Sequence, residues 1–199
     1  MGVFSRGQAD GYAPAGEKEM AADLHERVAE SFGPIWRAQE NRDVELMRPY
    51  VSDGYLERSQ QAFDELDRAA QIHCIEEDEL HDVAVARPEG EGGDIETAEA
   101  YLLFYVRHST VDLRTGDVVA GDAVARRAWT ARWSFVFDPS KGFVVDRLSA
   151  VWRAPNGRKP ARGKWPGLPA GWYSRRDEPW EWVYWDGSAW SAADQALVT

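Results

Sequence analysis

Ten residues constrain this chain more than any others: Ala128 to Phe137, AWTARWSFVF, where Trp129, Ala131, Trp133, Phe135 and Phe137 alternate with Thr130, Arg132, Ser134 and Val136. A period of two puts four large rings on one face of an extended strand, and rings in that number need another layer over them. The strand therefore marks the middle of a core, and the rest of the chain has to supply its cover.

The N-terminal half offers helices for that purpose. Residues 1 to 16 have no apolar period and read as a flexible lead-in. From Glu17 the apolar positions Met20, Leu24, Val28 and Phe32 recur every four residues, which predicts an amphipathic helix. Gly33 and Pro34 punctuate it, and Pro34 suits the first turn of a second helix carrying Ile35, Trp36, Val44 and Leu46. A third helix is expected over Tyr55 to Ile75. The period then changes. Glu79 to Arg87 alternates as a strand, and 88–94 is an acidic Gly-rich loop. Ile95 to Leu113 is a long strand that is apolar on both faces at its middle. Val118 to Val124 leads into the aromatic strand, and Asp138 to Gly142 reads as a hairpin turn into Phe143 to Trp152. The expected class is α+β, with three N-terminal helices packed on a strongly curved, cone-like antiparallel sheet over 17–153.

Past that domain the chemistry changes. Residues 154–169, APNGRKPARGKWPGLP, carry four prolines, three glycines and the cations Arg158, Lys159, Arg162 and Lys164, the composition of a basic linker. Residues 170–199 hold five of the chain's ten tryptophans. Asp186 and Gly187 between aromatic runs predict a β-hairpin, here a small Trp-rich module. The formal charge of −11 argues against nucleic acid, whose phosphates select stripes of Lys and Arg, and allows a basic partner. One cysteine, Cys74, excludes an intrachain disulfide and fits a reducing cytoplasm. No apolar run approaches the length of a spanning helix, so the chain reads as soluble.

Two resemblances follow from these residues. Residues 20 to 152, through FGPIWRAQENRDVELMRPYVSDGYLE, LLFYVRHSTVDLRTGDVVAGD, WTARWSFVF and GFVVDRLSAVW, resemble the Tim-forty-four-like domain of the nuclear-transport-factor-like superfamily. That resemblance implies a cone with a cavity, and a binding function without chemistry. The tail, through PAGWY and WVYWDGSAW, is similar to a short actinobacterial Trp-rich domain of unknown function, with Trp172, Tyr173, Tyr184, Trp185, Asp186, Gly187 and Trp190 on its signature positions. It implies a bacterial adaptor, cytoplasmic or peripheral to the inner face of the membrane at the envelope.

The functional expectation is a nonenzymatic protein that binds a protein partner or a lipid-like ligand. Trp129, Trp133, Phe135 and Tyr105 would meet it at the cavity or its mouth, and Trp172, Tyr173, Tyr184, Trp185 and Trp190 would form a second contact. Core packing is the competing role for each of these rings. A basic toxin neutralised by an acidic immunity protein is an alternative. So is an isomerase or dehydratase cavity, for which Asp112, Asp146, His108 and Tyr105 are the groups to check. His73, Cys74 and His81 have donor chemistry for zinc, but their spacing matches no standard pair, so no metal and no cofactor is expected.

Overall fold

A computed structural model describes residues 16–88, 95–154, 160 and 164–191. Two α-helices, α1 (Glu17–Asn41) and α2 (Asp53–Ala69), are joined by two single 3-10 turns at Val44–Leu46 and Arg48–Tyr50. Eight strands follow: β1 (Gln71–Ala86), β2 (Thr97–Asp112), β3 (Val118–Gly121), β4 (Arg127–Asp138), β5 (Gly142–Arg153), β6 (Gly171–Arg175), β7 (Glu178–Trp185) and β8 (Trp190–Ser191). All belong to one antiparallel sheet in the order β5-β4-β2-β1-β6-β7-β8, with β3 pairing the far end of β2.

This corrects the expected architecture in two respects. The first is the helices, of which there are two and not three. Pro34 lies inside α1, where it gives up one backbone hydrogen bond, yet the helix does not end there. The buried stripe Met20, Leu24, Val28, Phe32, Ile35 and Ala38 keeps its three- and four-residue steps straight through Gly33 and Pro34. Breaking α1 would take the second half of that stripe off the sheet, and burial of Phe32 and Ile35 outweighs one lost bond. Gly33 lacks a comparable reason to stay glycine, since an added Cβ would meet only the Arg37 side chain at 3.7 Å. Gly33→Ala is accordingly expected to raise stability by about 0.5–1 kcal/mol in urea titration. A loss would show that α1 needs a flexible point there. The third expected helix also stops early. Ser52 caps α2 by accepting from the Tyr55 N–H (3.1 Å), and Ala70 at φ 54° ends it in the left-handed region. Residues 71–75 are already strand.

The second correction concerns the Trp-rich tail. It is the outer part of the same sheet: β6 pairs with β1 through Ala84↔Arg175, Val85↔Ser174 and Ala86↔Tyr173. β2 lies between β4 and β1, which explains a strand apolar on both faces. Its even positions Ala98, Ala100, Leu102, Phe104 and Val106 join the helix-side core with Trp133, Phe135, Val145 and the α1 stripe. Its odd positions Tyr101 and Leu103 join a smaller cluster on the opposite face, with Ala84, Trp165, Leu168, Tyr173 and Trp185. Trp165 and Leu168 come from the segment leading into β6. There Gly167, at φ 79°, passes so close to the sheet that a Cβ would sit 2.7 Å from the Trp152 Cβ.

Long polar contacts tie the layers together. Arg27 of α1 donates to the carbonyls of Phe143 (2.8 Å), Pro49 (2.7 Å) and Lys141 (3.1 Å). His25 of α1 puts its Nε2 3.1 Å from Ser174 Oγ in β6. Burial holds the His25 pKa at about 4, against 6.5 ordinarily. Between those values only the unfolded chain takes up the proton, so His25 withdraws stability as pH falls from about 6.5 to about 4, at up to roughly 1.4 kcal/mol per pH unit. Urea unfolding at pH 7 and pH 4.5 is expected to show a steeper loss for the native chain than for His25→Gln. Parallel losses would contradict the burial of this histidine.

Candidate functional site

The nine rings expected to meet a partner divide by burial. Trp133 and Phe135 lie in the helix-side core, with exposures of 0% and 1%, under Phe32. The Phe32 ring stacks on Trp133 at 6.2 Å and meets Phe104 edge-on at 5.5 Å, so a side chain of α1 occupies the space over the aromatic strand. Tyr105 is buried on the other face of the sheet beside Ala128 and Ala154. Tyr173 and Trp185 fill the second cluster, where the Trp185 indole donates to the Leu168 carbonyl at 3.1 Å and its ring lies 4.9 Å from that of Trp190. Trp129, Trp172, Tyr184 and Trp190 are half-buried and retain surface. Trp172 and Tyr184 meet at 5.3 Å on the hairpin.

The residues considered for chemistry do not converge. Asp146 accepts from Ser52 Oγ (2.7 Å) near the start of α2. Asp112 accepts from the Arg114 N–H in the turn after β2. Tyr105 and His108 belong to opposite faces of β2, Tyr105 beside Ala128 and His108 against Trp129 on the helix side. His81 packs on Tyr105 (5.4 Å) while His73 packs on His108 (5.2 Å), which separates the two histidines of the proposed zinc set. No group of three metal donors exists among the described residues.

Instead the sheet assembles a row that no single segment announces. At the end of the sheet where α1 and α2 finish, four side chains from four strands follow one another on the helix side: His73 of β1, His108 of β2, Trp129 of β4 and Arg153 of β5. The rings of His73 and His108 lie 5.2 Å apart, and those of His108 and Trp129 6.0 Å. The Arg153 guanidinium stacks over Trp129 at 3.8 Å. Phe104 connects the row to Trp36 of α1, with centroids 6.2 Å from Trp129 and 5.4 Å from Trp36. These residues, hereafter the mouth, form one patch on the helix side of the sheet.

The electrostatics of the mouth are uniform. Burial, then His73, then Arg153 lower the His108 pKa to about 4. Burial and then Arg42 lower that of His73. Both imidazoles are therefore neutral at pH 7, and the charged neighbours that act on them are cations. Arg42 is itself paired with Asp67. Two polar atoms here are buried without a hydrogen-bond partner among the described residues, His108 Nδ1 and Trp36 Nε1.

Sequence reasoning reached Trp129, His108 and His73 separately, for three different roles, and missed Arg153 and Trp36 as site residues. Counting back from the β4–β5 turn pairs Trp129 with Val151. Two bulges, between Ser134 and Phe135 and between Thr130 and Ala131, shift β5 by two residues and bring Arg153 there.

No known protein family matches the chain, and no curated protein matches it. Among solved structures, the intermembrane-space region of the chloroplast protein ARC6 is similar with a TM-score of 0.44 and 16% identity, over 65% of this chain and 95% of that one. No helix among the described residues is long and apolar enough to cross a membrane.

Proposed function

We propose that this chain is a nonenzymatic binding protein that takes its partner, a protein segment or a lipid-like molecule, at the mouth formed by Trp36, His73, His108, Trp129 and Arg153. One observation carries the reading: an exposed guanidinium, Arg153, lies over the half-buried Trp129, in a row of aromatic side chains that four strands and α1 hold in place. Trp36 and Trp129 are also half-buried, whereas Trp133 and Phe135 farther along β4 are covered by the core. The half-buried Trp172 and Tyr184 of the hairpin supply a second, weaker contact in the same reading. The single cysteine fits a place in the reducing cytoplasm.

Native mass spectrometry of the chain, gently purified from its own cells, tests this directly. An added mass that Trp129→Ala loses, with far-ultraviolet circular dichroism unchanged, is the expected result. A bare chain for both proteins would overturn it.

A further inference from the structure

Arg153 is the residue of the mouth whose chemistry is least consumed. It is exposed, its side chain has no hydrogen bond or ion pair among the described residues, and it stacks on Trp129 at 3.8 Å. A guanidinium laid flat on a ring presents its N–H edge outward, and that edge matches the two oxygens of a carboxylate. Its surroundings are unusual for a chain of formal charge −11. The charged neighbours bearing on His73 and His108 are Arg42 and Arg153, with no carboxylate among them. Arg42 has its own acid in Asp67, whereas Arg153 has none. In so acidic a chain, a guanidinium without an acid partner is a local point of attraction for an anion.

The remainder of the mouth is aromatic. Trp129 and Trp36 are half-buried, linked through Phe104. Trp36 Nε1 and His108 Nδ1 lie just beneath these rings, buried and without a hydrogen-bond partner among the described residues, so their resonances report on what covers the patch.

We infer that the mouth is a binding subsite for an aromatic carboxylate, with the carboxylate taken edge-on by Arg153 and the ring set against Trp129 and Trp36. The inference rests on the binding reading above and adds the class of ligand. Arg153 fixes the anion, and the indoles favour a planar body over a saturated chain.

The test is a titration of the full-length chain at pH 7, followed through the His108 and Trp36 side-chain resonances, with three probes: benzoate, octanoate and inorganic phosphate. Benzoate is expected to move both resonances saturably and to bind more tightly than either other probe. Arg153→Gln, which alters an exposed side chain, is expected to weaken benzoate by about tenfold or more, and Arg153→Lys to fall between. Octanoate or phosphate matching benzoate, an Arg153→Gln chain that binds equally well, or no movement with any probe would overturn the inference. If these fail while native mass spectrometry still finds a molecule that Trp129→Ala loses, the binding reading stands and only the ligand class is wrong. If that molecule is absent as well, both fall.

Discussion

Replacing Trp133 by alanine is expected to cost about 3–5 kcal/mol of folding free energy. The side chain is fully buried, stacks on Phe32 of α1 and touches Phe135 at 6.3 Å. Its neighbours come from a helix and from two strands, so no local movement can close the hole it would leave. Equilibrium urea unfolding measures the loss. A cost below about 1 kcal/mol would mean that α1 does not roof the aromatic strand. Trp129→Ala, half-buried at the mouth, should cost clearly less, and the difference separates the ring that holds the fold from the ring offered to a partner.

The second large effect is expected from a chain that ends at residue 153. If the tail were an independent module, its removal would leave the rest unchanged. In the structure β6 pairs with β1, and Trp185, Tyr173, Trp165 and Leu168 cover Tyr101 and Leu103 of the central strand. Trp182 of β7 packs on the helix-side core, and His25 loses its Ser174 partner when β6 goes. Uncovering Tyr101 and Leu103 alone removes roughly 3–6 kcal/mol at the usual worth of a buried large side chain. The shortened chain should bind a hydrophobic dye, and its thermal transition should be broad or absent. An unchanged, sharp transition would contradict the shared sheet.

How much of this was legible beforehand depended on how local each signal was. The alternation of 128–137 is contained in ten residues, and β4 runs over Arg127–Asp138. The two apolar faces at the middle of β2 follow from its place between β4 and β1. Gly33 and Pro34 misled because their local meaning, a break, opposed a nonlocal one, the stripe from Met20 to Ala38 that continues past them. The tail misled in a similar way. A Trp-rich hairpin after a Pro-rich stretch looks self-contained, and nothing in 170–191 reveals that the free edge of β1 receives it. The mouth was the least legible part, because it is made by register. His73, His108, Trp129 and Arg153, 21 to 80 residues from one another in the chain, meet through strand pairings, and two bulges decide which β5 residue arrives opposite Trp129. Bulge positions leave little trace in a single sequence.

The joining of β6 to β1 carries the most weight, since it makes one body of the helices, the central strands and the tryptophan-rich end. Amide hydrogen exchange with cross-strand nuclear Overhauser effects measures it most directly. The account predicts an effect between Val85 and Ser174 and a slowly exchanging Arg87 amide, whose bond to the Trp172 carbonyl spans 2.9 Å, protected to the same degree as the β2 amides. Fast exchange at Arg87 and no effect between those two residues, with β2 still protected, would contradict it.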